Sequence, residues 1–137
     1  MERGKKPTIK VAAALILRKG EVLLAKRHRD DAQGGLWEFP GGALEPGESL
    51  RECLARELEE ELGIQVEVGD EVAAIPHDYG EFVVHLHLFR ARIVRGEPAP
   101  LGCEEVRWVP WKEVEKLSLA PADKELLKLL EAERPSE

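Results

Sequence analysis

The stretch Gly42-Ala43-Leu44-Glu45-Pro46-Gly47-Glu48-Ser49-Leu50-Arg51-Glu52-Cys53-Leu54-Ala55-Arg56-Glu57-Leu58-Glu59-Glu60-Glu61-Leu62-Gly63-Ile64 decides the reading of this chain. A glycine-rich loop leads into a segment crowded with carboxylates, and a glycine ends it. Ser49 with Glu52 three residues on predicts a capping box, so a helix is expected from Leu50 to Leu62 with Gly63 as its C-terminal stop. Leu50, Leu54, Leu58 and Leu62 recur every four residues and form the face that packs on a sheet. Glu57, Glu60 and Glu61, three and four residues apart, share a side of such a helix. Glu57 and Glu61 border the leucine stripe, where burial of an unpartnered carboxylate is costly. Glu52 and Glu59 point away to solvent. A hard divalent cation would relieve the repulsion, and all-oxygen ligands on one short helix suit Mg²⁺ or Mn²⁺.

Those same residues resemble the Nudix box, G-x5-E-x7-R-E-U-x-E-E-x-G-U with U aliphatic. Gly42, Glu48, Arg56, Glu57, Leu58, Glu60, Glu61, Gly63 and Ile64 fill every specified position. Trp37-Glu38-Phe39-Pro40-Gly41 before the box and Leu119-Ala120-Pro121-Ala122-Asp123 near the end are similar to the MutT-like branch, which hydrolyses nucleoside triphosphates. The resemblance implies an α/β/α sandwich around a mixed β-sheet. It implies a metal set of Glu57, Glu60 and Glu61 with the backbone carbonyl of Gly41. It implies Glu57 as first choice for the residue that orients or deprotonates water, with Glu48 and Glu60 as further catalytic candidates and Glu48 alternatively a loop anchor. Arg56 is expected to orient the box carboxylates. The family often carries another glutamate before the late Trp-Val strand. Here that position falls on Gly102, and Glu104 or Glu105 would have to substitute.

For the nucleotide, the resemblance aligns Arg27 with an arginine that contacts phosphate, a contact suited to a guanidinium fork. It puts Asp123 where the branch reads the base edge. An ionised aspartate only accepts hydrogen bonds, so an amino-bearing edge such as that of cytosine or guanine would satisfy it best. Phe39, Leu119 and Trp37 are candidates for an apolar wall, and Glu38 and His28 for the pocket. His85 and His87 face the same way on a strand and are expected as sheet positions rather than ligands.

With 137 residues, 43% hydrophobic and 34% charged, one globular domain over residues 1–137 is expected, frayed at 1–8 and 131–137. No apolar run approaches the roughly 20 residues of a membrane span, and the basic start lacks a signal-peptide apolar region, so a cytoplasmic location is expected. Cys53 and Cys103 are expected as reduced thiols. A net charge of −7 disfavours a nucleic-acid polymer as partner. It leaves room for a small nucleotide, whose charge a bound metal offsets.

Along the chain, two strands at Val11–Leu17 and Val22–Ala25 are expected to flank a turn at 19–21. A short strand at Trp37–Phe39 precedes the glycine loop. Strands follow at Gln65–Ala74 and Phe82–Val94 with a turn at Pro76–Gly80, then Glu105–Val109. A helical turn at Trp111–Lys116 precedes a last helix from Pro121, with Leu126, Leu127, Leu129 and Leu130 on its inner face. The expected activity is Mg²⁺-dependent pyrophosphohydrolysis of a nucleoside triphosphate, such as an oxidised or cytidine-type one, by a monomer or homodimer. Hydrolysis of a dinucleoside polyphosphate or ADP-ribose ranks second, because Pro76 and Tyr79 match that spacing poorly. A non-catalytic nucleotide sensor would not need the glutamate set.

Overall fold

The computed structural model describes residues 6–31 and 33–135. Eight strands form two sheets: β1 (Thr8–Leu15), β2 (Leu17–Arg18), β3 (Glu21–Lys26), β4 (Trp37–Glu38), β5 (Gly41–Ala43), β6 (Gln65–Asp78), β7 (Val83–Arg95) and β8 (Glu105–Pro110). The first sheet has the order β5-β1-β7-β6, with β1 and β7 parallel and the other pairs antiparallel. In the second, β3 is central, paired antiparallel with β2 and β4 along one edge and β8 along the other.

Successive side chains of a strand face opposite ways, and β1 uses this to build two cores. Ala12 and Ala14 join Leu54, Leu58, Leu62 and Ile64 beneath α1 (Leu50–Leu62). Ala13 and Leu15 join Leu86, Leu88, Leu126 and Leu130 on the other face, beneath α3 (Pro121–Leu127). Alanines on β1 let both layers approach closely. The result is the expected mixed α/β architecture with helices on both faces, near-identical in outline to the sandwich the resemblance implied. A short α2 (Trp111–Val114) links β8 to the segment before α3.

α1 forms as its sequence dictates. The Ser49 hydroxyl accepts from the Glu52 N–H at 3.1 Å, the Glu52 carboxylate accepts from the Ser49 N–H at 2.8 Å, and Gly63 closes the helix at φ 69°.

Several local expectations are corrected. The first two predicted strands do not form one hairpin. β1 ends at Leu15 and the chain crosses to the other sheet, where β2 and β3 make a two-residue turn with Lys19 at φ 51° and Gly20 at φ 78°, a type I′ geometry that suits strand twist. Pro76 lies inside β6 rather than in a turn, which is tolerated because β6 is the sheet's edge. Gly41–Ala43 is a strand, not loop. Leu129 is 56% exposed because α3 stops at Leu127. Thr8 pairs in β1 and Glu131–Glu133 form a 3₁₀ turn; residues 1–5, 136 and 137 lie outside the described residues. No helix among the described residues is long and apolar enough to cross a membrane.

Candidate active site

A cavity of about 360 Å³ opens between the segment Glu38–Ala43, α1, the first halves of β1 and β7, and the start of α3. It brings together Arg27, Glu38, Phe39, Gly41, Gly42, Glu57, Glu61 and Asp123. These residues span nearly a hundred positions of sequence, and each arrives by a definite element. β1 pairs with β5 through Ala12–Gly42 and Ala13–Gly41, which fixes the two glycines at the sheet's edge. A Cβ at Gly41 would lie 1.9 Å from the Ala12 carbonyl oxygen, and one at Gly42 would lie 2.2 Å from the Glu57 carboxyl carbon. Only glycine fits at either position without something shifting. α1 then delivers Glu57 and Glu61 to the same space.

Arg56 organises the acidic cluster. Its guanidinium donates to both oxygens of Glu48 at 2.9 and 2.7 Å, to Glu57 at 2.9 Å, to Glu60 at 3.1 Å and to the Ala43 carbonyl at 3.3 Å. Bidentate arginine–carboxylate bonds are short and directional. The orienting role expected of Arg56 matches this geometry. Glu48 also accepts from the Glu45 N–H at 2.9 Å. The hydrogen bonds from Arg56 first, then from the Glu45 amide, hold its carboxyl down at about 2. So anchored, Glu48 ties the loop before α1 to Arg56 and does not line the cavity.

Glu60 is also turned away. Its side chain is 55% exposed and sits one helical turn from Arg56, facing the guanidinium rather than the cavity. Among the described residues no three His, Cys, Asp or Glu side chains converge as a ready ligand shell. Glu57 and Glu61 do share the cavity. Burial raises Glu57 against the pull of Arg56. Burial also pushes Glu61 up to about 8, reinforced by the like charges of Glu38 and Glu57. A buried carboxyl beside two others calls for a cation. The oxygen-only donors and the glycine backbone fit a hard divalent ion.

The rest of the cavity is shaped for an organic group. Arg27 donates to Glu38 at 3.2 Å. Burial raises Glu38 even with Arg27 beside it, and the pair is within electrostatic reach of both Glu61 and Asp123. Asp123 is 6% exposed, and its Oδ2 accepts from the Phe39 N–H at 2.9 Å. That contact depends on a clamp: the Trp37 N–H donates to the Ser118 carbonyl and the Ala120 N–H to the Trp37 carbonyl, both at 2.8 Å. Burial, then the nearby Glu38 charge, raises Asp123 well above the carboxylate range. Burial of this kind disfavours the charged form of Asp123, and the contact it makes is as an acceptor from the Phe39 N–H.

Phe39 lines the cavity, whereas Leu119 and Trp37 do not. Both are core residues joined by a bridge between β4 and the segment before α3. His28 is not among the lining residues either. Glu104 is drawn to Arg29 and Lys26, and Glu105 to Arg107, so neither reaches the cavity. His87 has a carboxylate partner, Glu71 at 2.9 Å, which sequence did not suggest. The apolar wall has no signature in the sequence: Ile9, Val11, Val84 and Leu86 meet there because β1 and β7 pair in parallel, Ile9 with Val84 and Val11 with Leu86. Tyr79, whose spacing alone gives it no role, also lines the cavity. Its hydroxyl accepts from the Ala122 N–H at 3.2 Å, and its ring stacks on Phe82 at 5.5 Å.

Known proteins place this arrangement. A family model described as the NUDIX domain matches residues 12–129. The CTP pyrophosphohydrolase of Escherichia coli is 41% identical over 132 residues, covering 94% of this chain and 98% of that protein. The putative 8-oxo-dGTP diphosphatase 2 of Mycobacterium tuberculosis is 36% identical, covering 83% and 82%. The crystal structure of a MutT protein from Methanosarcina mazei superimposes with a TM-score of 0.84 at 30% identity, covering 98% of this chain and all of that one. Nudix hydrolases generally use divalent metal ions. On its sequence, its fold and its relatives, this chain belongs to the NUDIX domain family and is a Nudix hydrolase.

Proposed function

We propose that the protein is a nucleoside triphosphate pyrophosphohydrolase that releases the monophosphate and pyrophosphate and so clears unwanted nucleotides from the cytoplasmic pool. The observation that carries this reading is one cavity holding Glu57, Glu61, Gly41 and Gly42 together with Arg27, Glu38, Phe39 and Asp123. A divalent cation, Mg²⁺ first and Mn²⁺ as substitute, would be held by Glu57 and Glu61, by Glu60 once turned from Arg56, and by the Gly41 carbonyl; when bound it would neutralise phosphate charge and sharpen the attacking water. Glu57 orients that water and takes its proton, as the cavity carboxylate with a raised pKa and an arginine partner. Arg27 meets phosphate oxygens with its planar fork. Phe39 and Tyr79 pack on the base, and Glu38 with Asp123 reads its polar edge.

The E. coli relative's name and the two neighbouring carboxyls favour a cytidine-type nucleotide, with an oxidised purine such as 8-oxo-dGTP next. Pyrophosphate release across a panel of canonical, methylated and oxidised (d)NTPs with Mg²⁺ tests this. Release from one class at a kcat/KM at least tenfold above the rest supports it. Turnover of ADP-ribose or a dinucleoside polyphosphate instead would replace it, and binding without release would make the protein a sensor.

A further inference from the structure

A second groove, of about 680 Å³, lies at the opposite end of β1 from the active site. Ile9 and Val11 line the active-site cavity and Leu15 lines the groove, which separates the two by roughly 13–20 Å of strand. The groove exists because the sheet is uneven. β1 pairs with β7 only as far as Leu15–Arg90 and then crosses to the other sheet, while β7 runs on to Arg95. Residues 91–95 therefore have β6 on one side and, among the described residues, an unpaired edge on the other. An unpaired edge presents backbone donors and acceptors to any chain that can lie beside it.

The walls of this edge are cationic in a chain of net charge −7. Arg18, Arg90, Arg92 and Arg95 line it against two carboxylates, Glu67 and Glu97, with Arg90 held by Glu133 from outside the groove. Arg18 lies over the Trp108 ring at 4.0 Å, and its contact to Glu97 is long at 3.6 Å with both side chains well exposed. The Arg92–Glu67 pair is 68% exposed on both sides. Exposed pairs of this kind are worth little and exchange readily. Arg95 has no acidic partner among the described residues. A second copy of the chain pairing edge to edge would bring these arginines against themselves, so the charge pattern opposes self-association and favours an acidic strand.

We propose that the groove docks an acidic, extended segment of another protein, which adds a strand to residues 91–95 of β7. Backbone hydrogen bonds to the free edge give affinity, and the arginines select carboxylate side chains at alternate positions. The attraction weakens with salt, because the charges are exposed.

The test uses the full chain and a fluorescent eight-residue peptide of alternating Glu and Val, followed by anisotropy. Saturable 1:1 binding is expected, weakened at least tenfold by Arg92→Glu with Arg95→Glu, and equally by N-methylating alternate peptide amides. Pyrophosphate release from the best nucleotide should stay within twofold in the same variant, which separates this site from the proposed catalytic one and confirms that the variant folds. Equal binding of a Lys–Val peptide, or unchanged binding after N-methylation, would overturn strand addition. So would failure of the acidic peptide to bind where inorganic tripolyphosphate does. A dimer in sedimentation that the arginine variant abolishes would overturn it in favour of a second copy.

Discussion

The Gly42 Cα and the Glu57 carboxyl group are packed so closely that a methyl group on the one would lie 2.2 Å from the carboxyl carbon of the other. Gly41, its neighbour, is closed off by backbone instead: its Cβ would lie 1.9 Å from the Ala12 carbonyl oxygen. Neither glycine has a positive φ, so the restriction is space rather than conformation. Gly42→Ala should therefore displace the end of a side chain, and Gly41→Ala should disrupt the β1–β5 pairing. We expect Gly42→Ala to lower kcat at least tenfold while the melting temperature moves only a few degrees. Gly41→Ala should lose both together. Calorimetry beside steady-state kinetics distinguishes the two, and parallel losses in Gly42→Ala would remove Glu57 from the proposed chemistry.

Metal dependence follows from the carboxylates in the cavity. Turnover should cease in EDTA and return with Mg²⁺ or Mn²⁺. Glu61→Gln removes a carboxylate whose buried carboxyl is raised to about 8, so it should weaken cation affinity and activity together without lowering the melting temperature. Titration calorimetry with Mn²⁺ measures the first effect. Undiminished turnover in chelator would exclude the cation-based reading.

Asp123 carries a pH signature. Its folded pKa is raised above the value near 4 of an unfolded aspartate. Stability linked to this group is complete below the unfolded pKa and declines as pH rises toward the folded one. Asn at this position keeps an oxygen for the Phe39 N–H and cannot ionise. The melting temperature of Asp123→Asn minus that of the native protein should therefore rise as pH increases from 4 to 7. A flat difference would mean that the buried carboxyl ionises freely.

The same residue tests the base pocket. Leaving a buried polar group without its partner costs about 1–3 kcal/mol, so Asp123→Ala should lower kcat/KM for the preferred nucleotide by roughly five- to a hundredfold, mostly through KM. Inorganic tripolyphosphate, which has no base, should be cleaved at its original rate, however slow. Equal slowing of both substrates would assign Asp123 to the fold alone.

Arg56 joins Glu48, Glu57 and Glu60 through one planar group. Arg56→Lys keeps the charge and loses the fork. We expect kcat to fall more than KM rises, because the phosphate contacts assigned to Arg27 remain. A purely KM effect, read from full saturation curves, would make Arg56 a substrate ligand.

Local chemistry made much of this molecule legible from sequence. The capping box at Ser49 and Glu52, the leucine stripe and the Gly63 stop define α1 without help from the rest of the chain, because caps and 3.6-residue periodicity act within a few residues. The carboxylates Glu57 and Glu61 could be placed beside the buried stripe by the same rule. What tertiary structure decided was everything that joins distant segments. The parallel pairing of β1 with β7 gathered Ile9, Val11, Val84 and Leu86 into the cavity wall. The clamp between Trp37 and residues 118–120 carried Asp123 to the Phe39 amide and drew Leu119 into the core. Arg56 took Glu60 from the cavity side. Burial, which exists only once these contacts form, raises the Asp123 carboxyl, because desolvation acts on a charge through the whole surrounding fold rather than through its neighbours in sequence.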